Sequence, residues 1–355
     1  PFRLSARGKS SWKQKSNWFF LVLFLAPLGF SAMIKNHSLV MPWNNITNRV
    51  NINFPTNRIG VDGGAFEIIG FTKDSKTNAT VVKPKSSKNC KLLIIGDSHA
   101  GHLRHGFAKY VAHNTGCDIH IHTLVGCPPL FGFYKVYNIA KPEGHQRQNA
   151  CRDQIRSWED FVLLNGSDYR AIVFSARWNW LLNESEYGDR RIGQGALIPY
   201  DQTVVNAEDL KVEQRRANFR AAVKKTGQTI KKANAKAIFL TQPPVQMLDL
   251  RDYASIAAFE KALPPKSLAV SRNLYFEEIL LANDDLDRST IYLLDTFNEL
   301  FCPKIADSCI NRIGFNSLYD DDDHLSEFGS YQVGDLLLNL RPDLLRNIHL
   351  NIEMD

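Results

Sequence analysis

The sequence predicts an α/β fold in which helices cover both faces of a flavodoxin-like, doubly wound parallel sheet. From Cys90 onward, short apolar runs alternate with longer amphipathic stretches, and this alternation is typical of parallel strands joined by helices. The first of these runs, Lys91–Ile95, leads directly into Gly96-Asp97-Ser98 and then into a segment with helical periodicity. In such sheets the functional site lies beyond the carboxyl ends of the strands, where Ser98 falls.

Strands and helices are expected in alternation along this part of the chain. The predicted strands are Lys91–Ile95, Ile119–Val125, Ala171–Ser175, Ala237–Thr241 and Ile291–Leu294. The predicted helices are Ala100–His113, Arg152–Leu163, Leu210–Ala233, Ser267–Ala282 and Ser326–Leu340.

Two long connections, 126–150 and 178–208, begin at the carboxyl ends of predicted strands. Connections of that length are usually functional or disordered. Their aromatic residues favour a substrate wall, with a hydrophobic lid without specificity as the alternative. The candidates for the wall are Tyr134, Trp178 and Trp180.

The N-terminal quarter of the chain has a different character. Residues Asn17–Ile34 carry no charge and, at about 1.5 Å per residue, nearly cross a hydrocarbon core of about 30 Å, so a transmembrane helix is expected over residues 17–34. A secretory signal peptide is the alternative. Residues 1–16 are basic without an acid, so we expect them in the cytoplasm and the chain after Lys35 outside. The chain lacks an initiator Met, as a fragment of a larger membrane protein would.

Residues 35–89 separate this span from the catalytic domain, residues 90–355. They are rich in Asn, Thr, Lys and Gly and contain only scattered apolar side chains. We expect an irregular periplasmic extension that packs on the domain rather than folding alone.

The charge of the chain gives no support for nucleic-acid binding. The net charge is +6. Five of these positive charges come from residues 1–16, which leaves +1 for the remaining chain.

The six cysteines lack the Cys-x-x-Cys spacing of zinc or redox sites, and an even count beyond a membrane span suits an oxidising compartment. Disulfides are therefore expected, with buried reduced thiols as the alternative. A Cys302–Cys309 bond would close a local loop and a Cys127–Cys151 bond a longer one. The remaining pair, Cys90 and Cys117, would link the start of one strand to the neighbouring strand.

Ser98 and one C-terminal segment contain the residues of a nucleophilic site. A serine between a strand and a helix has an exposed hydroxyl and a backbone N–H near the helix N-terminus, where negative charge is stabilised. Asp321 stands three residues before His324, so a turn can fold its carboxylate onto one imidazole nitrogen while the other faces Ser98. The alternatives for the acidic run 320–323 are a solvated loop, helix capping or a calcium loop, although a complete EF-hand loop is absent.

Histidines near Ser98 raise the question of a metal. His99, His102 and His105 follow the serine, but no Cys or Glu completes a ligand set. We expect structural histidines and no metal site.

These motifs resemble those of the SGNH (GDSL-like) hydrolase superfamily. The string Gly96-Asp97-Ser98-His99-Ala100, together with Cys127-Pro128-Pro129 and Asp323-His324-Leu325-Ser326, is similar to the SGNH domains fused to membrane acyltransferase-3 (AT3) proteins, among them the O-antigen acetyltransferases of enteric bacteria. The resemblance covers roughly Cys90–Leu350 and implies the SGNH hydrolase fold. Residues 11–88 look like the last transmembrane helix and the linking extension of fused members.

The resemblance also implies roles for individual residues. Ser98 would be the nucleophile, His324 the general base and Asp321 the residue that orients it. The oxyanion hole would use the backbone N–H groups of Ser98 and Gly126. Arg177 stands where the hydrolases have an asparagine, so either its guanidinium supplies the third donor, or Asn179 does, or the hole has two donors.

The function implied by the resemblance is O-acetylation of a bacterial surface glycan, similar to the lipopolysaccharide O-antigen. An attached AT3 membrane domain would supply acetyl groups from cytoplasmic acetyl-coenzyme A, and this domain would bind no cofactor itself. Its partners would be the AT3 domain, the glycan acceptor and membrane lipid, at the bacterial inner membrane with the catalytic domain in the periplasm. The alternatives are an extracytoplasmic carbohydrate esterase with the same triad and a non-catalytic glycan-binding module.

Overall fold

A seven-stranded sheet forms the centre of the part of the chain that the computed structural model describes, all of it within one of two units of the chain, Val50–Asp355. The described residues are 68–73, 79–136, 142–182, 195–202, 209–246, 269, 274–284, 290–304, 308–314, 316–321 and 323–348. The strands are β1 (Ile68–Lys73), β2 (Thr80–Pro84), β3 (Lys91–Gly96), β4 (Asp118–Thr123), β5 (Phe133–Val136), β6 (Ala171–Ser175), β7 (Ala196–Pro199), β8 (Ala237–Leu240), β9 (Ile291–Leu294), β10 (Arg312–Ile313) and β11 (Asn316–Ser317).

The order of the strands confirms the predicted α/β fold. The main sheet has the order β1-β2-β4-β3-β6-β8-β9, and all pairs from β4 to β9 are parallel. In chain order its parallel strands stand 2-1-3-4-5, the flavodoxin-like arrangement. They match the predicted strands to within two residues at each end. The small β10–β11 hairpin lies outside this sheet.

The apolar run of β3 makes it the centre of the fold. Leu92 and Ile94 pack into one hydrophobic core, whereas Leu93 and Ile95 pack into another. Because side chains alternate along a strand, the two cores lie on opposite faces of the sheet. A strand buried on both faces shows a continuous apolar run, and this run is the pattern that predicted it.

The sheet extends further toward the N-terminus than the sequence analysis predicts. Strands β1 and β2 pair as an antiparallel hairpin, and β2 pairs antiparallel with β4. The expectation of an irregular extension up to residue 89 is therefore wrong for residues 68–73 and 80–84. The predicted basic segment and the predicted span Asn17–Ile34 lie outside the described residues. Within the described ranges, the structure contains no helix with the length and apolar character needed to cross a membrane.

Helices flank the sheet on both faces. They are α1 (Ser98–His102), α2 (Phe107–Thr115), α3 (Pro142–Asn165), α4 (Asn179–Leu182), α5 (Val212–Lys232), α6 (Leu274–Asp284), α7 (Glu327–Asp335) and α8 (Pro342–Asn347). A 3₁₀ turn at Gly166–Asp168 and π-helical turns at Phe297–Phe301 and Leu336–Leu340 complete them.

The predicted helix Ala100–His113 is two helices, α1 and α2, separated by residues 103–106. Gly106 precedes α2, and a Cβ at this position would lie 2.2 Å from the carbonyl oxygen of Glu327 in α7. The close approach of α7 thus requires a glycine where the sequence pattern predicted continuous helix. The predicted helix Ser326–Leu340 begins as expected, because the Ser326 hydroxyl caps α7 by accepting from the Gly329 N–H at 3.0 Å.

The two long connections contain regular structure where the sequence analysis expects loops. Strand β5 and the start of α3 fall in the first connection, and α4 and β7 fall in the second. Strands β5 and β7 pair antiparallel, with Tyr134 opposite Ile198. Their described parts therefore meet in one antiparallel ribbon, β5–β7.

The three predicted disulfides are confirmed. Cys90–Cys117, Cys127–Cys151 and Cys302–Cys309 have Cα–Cα distances of 4.7, 5.4 and 4.0 Å. Cys90–Cys117 joins the residue before β3 to the residue before β4, as the sequence analysis expects.

Candidate active site

Ser98 lies at the carboxyl end of β3, where the strand becomes α1. The preceding Gly96 is required by close packing, because a Cβ there would lie 1.8 Å from the carbonyl oxygen of Ser175 at the end of β6. The buried Asp97 caps α1, since its Oδ1 accepts from the His99 N–H at 2.9 Å. These contacts fix the backbone on both sides of a half-buried serine.

The structure brings Ser98, His324 and Asp321 together in a chain of hydrogen bonds. The Ser98 Oγ lies 2.8 Å from Nε2 of His324, and Nδ1 of His324 lies 2.7 Å from Oδ2 of Asp321. The Asp321 Oδ1 accepts from the backbone N–H groups of Asp323 at 3.0 Å and His324 at 2.8 Å. The turn predicted from the Asp-x-x-His spacing thus places a carboxylate on one ring nitrogen and the serine hydroxyl on the other.

Asp323 is a second carboxylate on the same imidazole, and the sequence analysis did not select it. Its Oδ1 lies 3.0 Å from Nδ1 of His324. Its Oδ2 forms an ion pair with Nη1 of Arg177 at 2.8 Å and accepts from Nε2 of His99 at 3.3 Å. The side chain is only 3% exposed. Its sequence signal was its place beside His324 in the string Asp323-His324-Leu325-Ser326, but its cationic partner comes from the end of a different strand.

The two carboxylates control the protonation of His324. Burial of the ring lowers the pKa of His324, but the hydrogen bonds and charges of Asp321 and Asp323 outweigh burial and raise it to about 10. Burial raises the pKa of Asp321, but the hydrogen bond from His324 outweighs it and the net pKa is lowered. The pKa of Asp323 is held well below its usual range, because hydrogen bonds with His324 and His99 and the Arg177 charge outweigh burial.

Two of the histidines expected to be structural lie against His324. The His102 ring stacks on the His324 ring at a centroid distance of 4.2 Å, and its Nδ1–H donates to the Leu325 carbonyl at 3.1 Å. Burial, and next the charge of His324, lower the pKa of His102, so its ring is a neutral support. The His99 ring centroid lies 5.1 Å from that of His324. His105 instead contacts Arg104.

His99, Asp323 and His324 also form a possible metal-ligand set within the described residues, since one ligand atom from each lies within 4.8 Å of the others. The Arg177 guanidinium, 2.8 Å from the Asp323 carboxylate, already places a positive charge at this position. A divalent cation would be repelled by it, so the donor set fits an ion pair better than a metal.

The predicted oxyanion-hole residues lie at the carboxyl ends of strands next to β3. Gly126 has a positive φ of 72° in the turn after β4, and that turn is joined to β3 because the Leu124 N–H donates to the Gly96 carbonyl at 3.1 Å. Asn179 is buried, and its backbone N–H donates to Oε1 of Gln242 at 2.9 Å. The Arg177 N–H donates to Oδ2 of Asp97 at 3.0 Å. The roles of these residues in an oxyanion hole stay predictions.

The predicted substrate wall is wrong for Trp178 and Tyr134. Trp178 is fully buried, and its Nε1–H donates to the Leu240 carbonyl at 2.8 Å. Tyr134 is 3% exposed, and its hydroxyl donates to the Gln202 carbonyl at 3.0 Å. Both side chains pack into the core because each finds its polar partner on a neighbouring segment.

Trp180 remains a candidate for the wall because its ring is half-buried. The Lys135 Nζ lies 2.9 Å from the ring centroid, and the Arg177 guanidinium lies 5.2 Å from it. Trp180 therefore connects the β5–β7 ribbon to the residue that binds Asp323.

The fold and the site define an α/β domain with a Ser-His-Asp arrangement of the hydrolase type. The family model for the SGNH domain fused to AT3 domains matches residues 70–339, and the chain therefore belongs to this family. No curated protein matches the chain.

Two solved structures are similar at a distance. One is the periplasmic domain of the Salmonella ser. Paratyphi A lipopolysaccharide acetyltransferase, with 18% identity over 72% of this chain and 85% of that chain and a TM-score of 0.42. The other is the acetyl xylan esterase AlAXEase, with 12% identity over 71% of this chain and 99% of that chain and a TM-score of 0.38.

Proposed function

We propose that this domain is an O-acetyltransferase that modifies a bacterial surface glycan, similar to the lipopolysaccharide O-antigen, through a serine acyl-enzyme. The observation that carries the proposal is the 2.8 Å contact between the Ser98 Oγ and Nε2 of His324, with carboxylates at the opposite ring nitrogen. Acyl transfer requires a hydroxyl with a general base within hydrogen-bond distance and a carboxylate that orients the base.

In the first half of the reaction, the neutral form of His324, which its raised pKa makes a small fraction near neutral pH, takes the proton of Ser98 while the Ser98 oxygen attacks the acetyl carbonyl carbon. The tetrahedral intermediate collapses, the bond to the donor breaks, and the protonated His324 returns its proton to the leaving group. In the second half, His324 takes the proton of a sugar hydroxyl as that oxygen attacks the acetyl-enzyme. The ester bond to Ser98 breaks, and the serine recovers its proton.

The negative charge on the tetrahedral oxygen needs donors fixed in advance. We assign the backbone N–H groups of Ser98 and Gly126 to this role, with Arg177 or Asn179 as a possible third donor. Loss of one such donor typically lowers the rate by about 10²–10³-fold. The third donor therefore decides whether this domain reaches the rate of hydrolases that have an asparagine at this position.

The family supports a proposal for the source of the acetyl group. Members are fused to AT3 domains, and we propose that an attached AT3 membrane domain passes acetyl groups from cytoplasmic acetyl-coenzyme A to Ser98. No cofactor then needs to bind this domain. The three disulfides support an oxidising location, which we take to be the periplasm, with the protein held at the inner membrane and in contact with its lipid.

The experiment incubates the full chain with an activated acetyl ester, with and without a surface-glycan acceptor, and measures released acetate and acetylated glycan by mass spectrometry. We expect a Ser98-bound acetyl intermediate and acetylated glycan. Fast acetate release without any glycan product would instead identify an esterase. Absence of acetyl transfer and of hydrolysis, with glycan still bound, would identify a binding module.

The matched variants are Ser98→Ala and Ser167→Ala. Ser98→Ala removes the nucleophile and should reduce acetylation by about 10⁴-fold or more. Ser167 is exposed in the 3₁₀ turn before β6, at the opposite edge of the sheet, so Ser167→Ala should keep full activity. Equal activity in the two variants would refute the serine mechanism.

A further inference from the structure

Asp323 is not needed for the triad, yet the structure builds three contacts around it. Its carboxylate oxygens lie 3.0 Å from Nδ1 of His324, 2.8 Å from Nη1 of Arg177 and 3.3 Å from Nε2 of His99. Isolated buried carboxylates are costly, and this one is offset by a guanidinium that is itself 93% buried. The Arg177–Asp323 ion pair is therefore buried, and its carboxylate contacts the general base His324.

Asp321 and Asp323 have different contacts, which indicate different roles. Asp321 receives two backbone N–H groups of its own turn, so it is fixed locally. Asp323 receives its partners from Arg177, which follows β6, and from His99 in α1. Thus Asp321 shapes the acidic turn, whereas Asp323 ties the base to two other elements of the sheet edge.

We propose that Asp323 is a positioning residue: held by Arg177 and His99, it acts together with Asp321 on Nδ1 of His324 and keeps the imidazole directed at Ser98. This inference rests on the proposed function in that Ser98 and His324 react as a pair. Arg177 then acts through Asp323 by limiting how strongly that carboxylate holds the imidazole proton.

The charged and titratable groups that face His324 determine whether each substitution raises or lowers the pH at which His324 loses its proton. They are Asp321 and Asp323 from its own turn, His99 and His102 from α1, and Arg177 behind Asp323. Removing the Asp323 charge destabilises the imidazolium, so His324 should lose its proton at lower pH. Removing the Arg177 charge leaves the Asp323 carboxylate uncompensated, so His324 should lose its proton at higher pH.

The test measures the rate constant for labelling of Ser98 by a fluorophosphonate, a general probe of activated serines, in the full chain as a function of pH. The midpoint of the rising limb reports deprotonation of His324. We expect Asp323→Asn to lower the midpoint by about one pH unit or more and Arg177→Gln to raise it. Asp320→Asn is the matched control, since it removes an exposed charge from the same turn, and should leave the midpoint within about 0.3 units.

An Asp323→Asn midpoint equal to that of the control, or shifted upward, would overturn the proposal. Asp323→Glu should return the midpoint toward that of the wild type, because it restores the charge. If Asp323→Asn does not fold, the Arg177→Gln and Asp323→Glu midpoints decide the matter. An unchanged midpoint in Arg177→Gln would then refute it.

A second measurement separates this inference from the proposed function. In the full chain with ¹⁵N-labelled histidine, His324 is assigned by comparison with His324→Gln, and its titration is followed by NMR in the same variants. If Ser98 reacts with the probe but no acetyl is transferred, the proposed function fails while the midpoints still test Asp323. If Ser98 does not react at all, the nucleophile is refuted and the NMR titration alone decides the effect of Asp323.

Discussion

The segments that follow β3 and β6 leave the same edge of the sheet as neighbours, but only one of them is readable from sequence. After β3, Ser98 faces the base, which is the contact that the sequence analysis predicts, and the preceding Asp97 caps α1. After β6, Arg177 and Trp178 find partners far away in the chain, Asp323 and Leu240. Ser98 and its distant partner His324 each stand in a readable motif, so their contact is predictable, whereas no motif connects Arg177 or Trp178 to its partner.

The largest expected effect on stability comes from Trp178, in the segment after β6. Trp178→Ala removes a fully buried indole and its hydrogen bond to Leu240, and we expect the free energy of unfolding to fall by about 3–5 kcal/mol. The measurement is urea unfolding of the full chain, followed by circular dichroism. A loss below about 1 kcal/mol would return Trp178 to the substrate wall.

The fold could be predicted because the pattern that specifies each parallel strand is local in the sequence. The parallel strands are buried, and a run such as Leu92–Ile95 shows this directly. Strands β1 and β2 escaped prediction because they lie at the edge beyond β4, and the apolar run of β2 is only Val81-Val82, followed by the exposed Lys83. The acidic turn was readable because Asp321 and His324 are three residues apart. Asp323 was not, because its role depends on an arginine from another strand.

Asp97 connects the segment after β3 to the segment after β6. Asp97 accepts from the His99 N–H in α1 and from the Arg177 N–H after β6. Asp97→Asn replaces one acceptor oxygen with an amide group, so one buried N–H loses its partner. We expect the free energy of unfolding to fall by about 1–3 kcal/mol and the rate of Ser98 labelling to fall with it.

The control for Asp97 is Asp168→Asn, which removes the same charge from an exposed position before β6. Its stability and its labelling rate should match the wild type. If the two variants behave alike, Asp97 does not hold the segments together, and the placement of Ser98 depends on the packing of Gly96 alone.

The smallest effect on stability is expected at Trp180, two residues beyond Trp178. Its half-buried ring lies between Lys135 and Arg177 at the surface that the glycan would approach. Trp180→Ala should cost about 1–2 kcal/mol of stability, because it removes the ring that covers the buried Lys135 ammonium. It should raise KM for the glycan acceptor while KM for the acetyl ester stays unchanged, because flat aromatic rings bind sugars by stacking. Trp180→Phe, which keeps a flat ring, should recover most of the affinity. An unfolding loss as large as that of Trp178→Ala would place Trp180 in the core as well, and none of the three predicted wall residues would then be available to a substrate.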